Sequence, residues 1–163
     1  HIVAYDGPMY IRMFRKAIPA VYGDDYEFKM FKADVIREGK DVTLFAMGMM
    51  VQEAIKAADM LKAEGIEADL INVHTIKPLD RETVIASARK TGAVVTCDNH
   101  NVIGGLKSAV AEVLIEECPV PLKAIGVQDH FGEVAKIDYL KKKYHMTAED
   151  IVAAAKEVIS KKR

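Results

Sequence analysis

The chain has 163 residues, half of them hydrophobic and 29% charged, with a formal net charge of −1. That composition is globular, suits one domain with an appendage, and offers no field to hold a nucleic acid or an anionic membrane. No apolar run approaches the ~20 residues of a membrane span, and no signal-peptide pattern opens the chain.

In chain order, Met9 to Phe14 (MYIRMF) reads as a strand. A connector rich in charge and aromatics follows, AVYGDDYEFKMF. Its strand partners are expected upstream of His1, so residues 1–30 are expected to be poorly anchored. Ala33 to Arg37 reads as another strand, and a tight turn containing Gly39 joins it to the next, which favours an antiparallel pair. From Asp41 short β-branched runs alternate with helical patterns. DVTLFAM (Asp41 to Met47) is a buried strand; Val51, Ala54, Ile55, Ala58 and Leu61 recur at helical spacing and Gly65 stops that helix. EADLINV (Glu67 to Val73) is a strand. Asp80 can cap a helix with an apolar face of Val84, Ile85 and Ala88, ending at Gly92. Ala93 to Cys97 is a strand, Leu106, Val110, Val113 and Leu114 mark a helix, and Val120 to Val127 is a strand.

Two helical segments close the chain, at 137–144 and 147–160. Thr147 with Asp150 forms a capping box with Asp in place of Glu or Gln. Ile151, Ala154, Ala155 and Val158 form its stripe, and Lys161, Lys162 and Arg163 place favourable charge at its end. Repeated strand–helix–strand units with continuously apolar strands imply parallel pairing with helices on both faces. The expected fold is therefore a three-layer α/β/α, Rossmann-like domain, with a mixed sheet of about five strands, one antiparallel.

Chemistry has few places to reside. Gly48, Met49 and Met50 after the first parallel strand do not form a glycine-rich phosphate loop. Gly104-Gly105 opens a helix, which suits either an anion or a closely packed turn. His74, His100 and His130 each follow a strand, where the ligand crevice of an open sheet lies, with Asp98 and Asp129 nearby; they are rim residues or polar residues tying down turns. No two histidines stand at i, i+4, and Cys97 and Cys118 lack ligand spacing, so no metal site is expected. Two buried thiols in a reducing cytoplasm is the expectation. Arg12, Arg15 and Lys16 in IRMFRKAIP form either a phosphate clamp or a solvated cluster.

Four stretches together resemble the C-terminal part of transketolases of the split, two-subunit type. GPMYIRMFRKAIP resembles the last strand of a pyrimidine-binding domain. GKDVTLFAMG with EAIKAADMLKAEGIEADLI resembles the opening of the C-terminal domain. HTIKPLDRETVIASARKTGAVVTCDNH with DNHNVIGGL resembles its middle, and IGVQDHFGEVAKIDYLKKKYHMTAEDI its end. The resemblance implies a boundary, with residues 1–30 the tail of the pyrimidine-binding domain plus connector and 31–163 the C-terminal domain. It implies transfer of a two-carbon ketol unit between sugar phosphates, as in the pentose phosphate pathway, in a cytoplasmic homodimer. The complete enzyme would use thiamine diphosphate with Mg²⁺ or Ca²⁺, and the pyrophosphate-binding part would be a partner subunit or domain. The isolated piece is expected to bind no cofactor and to be inactive. By the same resemblance Arg15, and less closely Arg12, contact the substrate phosphate.

Departures fall on the rim: Asp98-Asn99 stands where two acidic residues are frequent, Lys107 where Gly is, and Val134-Ala135 where Ser-Gly is. The alternatives are the C-terminal part of a 1-deoxyxylulose-5-phosphate synthase, whose loop pattern His74-Thr75-Ile76 fits less well, or a free-standing binding module.

Overall fold

A computed structural model describes residues 1–14 and 17–162 of the chain. Five strands form one sheet: β1 (Asp34–Arg37), β2 (Val42–Ala46), β3 (Ala68–Asn72), β4 (Val94–Asn101) and β5 (Leu122–Val127). Their order is β1-β3-β2-β4-β5. β2 pairs in parallel with both β3 and β4, β4 pairs in parallel with β5, and β1 runs antiparallel to β3. The helices are α1 (Met50–Ala63), α2 (Arg81–Thr91), α3 (Leu106–Glu117), α4 (Ile137–Lys143) and α5 (Ala148–Ile159). A short 3-10 turn covers Ile2–Ala4.

The expected three-layer fold with one antiparallel strand is what the chain forms. Every residue of β2 is buried, because it lies between two strands and under helices on both faces. Leu44 and Ala46 face α1 and α5, packing with Ala54, Leu61, Ile151 and Ala155. Phe45 faces α2 and α3, with Val84, Ala88, Leu106 and Val110. Burial of a side chain such as Leu44 or Phe45 stabilises by roughly 1.5–3 kcal/mol.

The caps follow the sequence signals. The Asp80 carboxylate accepts from the Thr83 N–H at 3.4 Å, and Gly92 ends α2 in the left-handed region at φ 67°. Thr147 and Asp150 complete the reciprocal capping box of α5. Asp69, 1% exposed, accepts from Ser87 Oγ, from Lys90 Nζ at 2.8 Å and from the Gly39 N–H at 3.1 Å. This satisfies a buried carboxylate that would otherwise be costly.

Three expectations need correction. β1 does not pair with β2, because both edges of β2 are taken by β3 and β4; the turn crosses the start of β3, where the Lys40 and Asp41 N–H groups donate to the Glu67 carbonyl. Met9 to Phe14 forms no strand, since it runs over strand ends and not along a sheet edge. Cys97 is buried, but Cys118 is only half-buried. In addition β4 runs four residues past Cys97, to Asn101, which carries Asp98 and His100 on the strand itself.

Candidate anion site at the strand C-termini

The chain leaves β2 through α1 to β3 on one side, and returns through α2 to β4 on the other. The crevice between the C-terminal ends of β2 and β4 is therefore the topological switch point, where open α/β sheets take ligands. It is walled by Gly48 beyond β2 and by Asp98 and Asn99 of β4.

The N-terminal segment crosses this crevice. Arg12 Nη2 donates to Asp98 Oδ1 at 3.0 Å and reaches Asn99 Oδ1 at 3.5 Å. The Phe14 ring lies beside Gly48, 3.9 Å from where a Cβ would stand. Gly48 has φ 56°, a conformation that glycine adopts without strain. Farther along, Gln52 of α1 donates to the carbonyls of Pro19, at 3.0 Å, and Ala20. Tyr22 then reaches the end of β3, where it meets Asn72. The contacts of the described residues thus fall at β4, beyond β2 and at β3 in turn.

At β3 a polar cluster holds the connector. Tyr22 and Tyr26 stack with centroids 4.0 Å apart, and both hydroxyls donate to Asp34 Oδ2, at 3.0 and 2.6 Å. Asn72 Nδ2 donates to the Tyr22 oxygen at 2.9 Å. Burial, then the Asp34 carboxylate working against the Asn72 donor, pushes the Tyr22 hydroxyl up to about 12, so it stays a donor at neutral pH. The sequence offered only the aromatic content of the connector as a signal for this cluster.

The candidate site residues separate as follows. Arg12 and Asp98 come together as an ion pair whose side chains are 37% and 9% exposed. His100 is exposed near them on β4. Arg15 and Lys16 lie outside the described residues. The strand-end histidines have separate neighbours: His74 Nδ1 lies 2.8 Å from Thr75 Oγ1 and its ring packs on Phe28, while the His130 ring packs on Tyr144. Among the described residues no three His, Cys, Asp or Glu side chains gather as a metal site.

The Gly104-Gly105 turn does not fit a diphosphate. A Cβ at Gly105 would stand 2.8 Å from the Asn101 carbonyl oxygen and 3.2 Å from Asp98 Oδ2, so the turn is closed by backbone and faced by a carboxylate. The Gly104 N–H is spent on Ser108 Oγ at 2.9 Å. No helix among the described residues is long and apolar enough to cross a membrane.

Known proteins resemble this chain closely. The family model described as "Transketolase, C-terminal domain" matches residues 31–151. The 6-deoxy-6-sulfo-D-fructose transketolase subunit SqwH of Clostridium sp. (strain MSTE9) is 54% identical over 99% of this chain and 50% of its own length. An apulose-4-phosphate transketolase subunit of Phocaeicola vulgatus is 36% identical, over 98% of this chain and 51% of its own. The 1-deoxy-D-xylulose-5-phosphate synthase of Heliobacterium modesticaldum is also 36% identical, but this chain covers 24% of it. A solved structure of a split-gene transketolase, described as an inactive beta4 tetramer, superposes with a TM-score of 0.87 at 49% identity, over 91% of this chain and 49% of that one. The chain spans about half the length of the transketolase subunits it matches.

Proposed function

Because the chain belongs to the transketolase C-terminal domain family, we propose that it works as the C-terminal part of a split-gene transketolase that transfers a two-carbon ketol unit between sugars bearing a terminal anion. The observation that carries this reading is the 54% identity to a transketolase subunit over 99% of the chain. The named substrates of the relatives support an anionic sugar: a sulfonate in one, a phosphate in another. Arg12 and Arg15 are the proposed anion contacts, since a guanidinium meets two oxygens of such a group at once.

The proposed cofactor is thiamine diphosphate with Mg²⁺ or Ca²⁺, held outside this chain by an N-terminal partner subunit and by the remainder of the pyrimidine-binding domain. The closed Gly104-Gly105 turn supports that division of labour. Residues 1–30 are proposed as the end of the pyrimidine-binding domain and its connector, and 31–163 as the C-terminal domain. The homo-oligomer without its partner is proposed to be inactive, by analogy with the tetrameric neighbour, which is itself described as inactive. The free thiols Cys97 and Cys118 support a cytoplasmic setting.

The test is reconstitution. The complete subunit containing this chain, mixed with its N-terminal partner, thiamine diphosphate and Mg²⁺, should transfer a ketol unit to an aldose phosphate. The isolated 163-residue chain should give neither turnover nor calorimetric heat with the cofactor. Formation of deoxyxylulose phosphate from pyruvate in its place would favour the synthase reading.

A further inference from the structure

Arg12 and Asp98 are 86 residues apart in sequence, yet their side chains meet at the mouth of the switch-point crevice. Asp98 is 6% exposed and sits on β4, a strand and not a loop, at the point where its ladder with β5 turns irregular. Arg12 lies on a segment without regular structure. Left to itself, such an arginine samples many rotamers, and that freedom would be lost on binding an anion. Both of its bonds, to Asp98 and to Asn99, leave from Nη2; among the described residues none leaves from Nη1 or Nε. A guanidinium carries five N–H donors, so with Nη2 turned to Asp98 and Asn99 the two Nη1 hydrogens and the Nε hydrogen are left for a second oxyanion.

We propose that Asp98 is a positioning residue for the substrate anion: it holds Arg12 by one nitrogen, so that the remaining donors meet the phosphate or sulfonate of the sugar in a preset geometry. This gives the C-terminal domain a part in substrate selection. The departure of the rim from a doubly acidic pair to Asp98-Asn99 fits the role. One carboxylate fixes the arginine, and the neutral Asn99 adds a second acceptor without further negative charge facing the incoming anion. The inference rests on the proposed ketol transfer.

The experiment uses the reconstituted two-part enzyme as wild type, Asp98→Asn, Arg12→Ala and the double variant. The reading is the ratio of kcat/KM for an aldose phosphate to that for the same aldose without phosphate. Arg12→Ala should lower the ratio about 10-fold, and Asp98→Asn, which keeps the shape but not the charge, about 5-fold. The double variant should match Arg12→Ala within about twofold, because Asp98 acts through Arg12. An unchanged or raised ratio in Asp98→Asn overturns the proposal, as does a double variant that falls by the product of the singles. A lowered Tm with an unmoved ratio also overturns it, since that marks a structural pair only. If wild type shows no ketol transfer, the functional reading fails by itself. The pairing is then read on the isolated chain by ¹⁵N NMR of the Arg12 guanidinium against inorganic phosphate. Phosphate should shift Nε in wild type and less so in Asp98→Asn; no shift in either overturns the positioning role.

Discussion

Oε1 of Glu53 lies 3.0 Å from Nζ of Lys141, joining α1 to α4 across 88 residues. The same carboxylate accepts from Lys56 Nζ at 3.0 Å and from the Ala148 N–H at 3.2 Å, so it also fixes the start of α5. Burial alone would raise its pKa, but the Lys141 and Lys56 hydrogen bonds and charges outweigh this and hold it below the usual carboxylate range. Truncation by Glu53→Ala strands a half-buried ammonium and a buried N–H. It should cost about 2–3 kcal/mol, read as a fall of roughly 4–10 °C in Tm.

The same shift sets a pH dependence. A carboxylate whose folded pKa lies below its unfolded value contributes stability that is fully present above the unfolded value, roughly 4.3, and lost as pH falls through the folded one. Asp80 follows the same sign: burial raises its pKa, but the Ala33 and Thr83 donors bring it down. Urea midpoints should therefore be flat from pH 7 to about 5 and drop below about 4. In Glu53→Gln the drop should be shallower. An equal slope in wild type and variant would show that Glu53 does not contribute to the acid limb.

Gly39 makes a sharper case. A Cβ there would stand 2.2 Å from the carbonyl carbon of Ala68 and 2.5 Å from the Glu67 carbonyl oxygen, both backbone atoms that cannot swing aside. Gly39→Ala should cost at least about 2 kcal/mol, whereas Gly65→Ala meets no atom within 4 Å and is charged only for its φ of 81°. Denaturation of the two variants side by side decides; Gly39→Ala at wild-type stability would mean that the turn shifts freely.

Hydrogen exchange should divide the chain. The described residues between 5 and 33 carry no strand or helix, while Val42–Ala46 are wholly buried and paired on both sides. Amides of residues 9–14 and 23–30 should exchange within seconds to minutes, and those of β2 only with global unfolding. Comparable protection in a monomer would show the segment to be far better held than its few side-chain contacts imply.

A guanidinium at position 15 suits a phosphate contact by its chemistry and by the family resemblance. In the reconstituted enzyme Arg15→Ala should lower kcat/KM for a phosphorylated acceptor by about 10- to 150-fold, the worth of one charge-assisted contact. Arg15→Lys should recover only part, because the ammonium lacks the fork. Equal losses on phosphorylated and plain aldoses would make Arg15 a structural residue.

Much of the fold was legible because both periods were clean. The largely apolar DVTLFAM read as a doubly covered strand, and Thr147 with Asp150 marked its helix start to the residue. The partner of β1 was not legible. The tight turn at Gly39 is a local signal, while the occupation of both edges of β2 is a property of the whole sheet. MYIRMF is unpaired among the described residues for a related reason: alternation shows that a segment has two faces, but a strand also needs an edge to pair with. At the site, Arg12 and Asp98 could each be singled out from the sequence. Their meeting could not, because it depends on the path of the N-terminal segment over the strand ends.

That path has an architectural consequence. The mouth where a sheet of this topology would admit a nucleotide is occupied by the chain itself, gripped in succession by Asp98, by the Gly48 turn, by Gln52 and by the tyrosine pair. What a guest still meets there is the half-exposed Arg12 side chain, and not the open crevice. The segment before Arg12 is thus held at a set crossing point by side-chain contacts, while its direction beyond that point is left free to vary. Grafting another domain ahead of residue 12 would inherit that crossing point. Removing the grips one by one, first Asp98 and then Gln52, would be the direct way to loosen it.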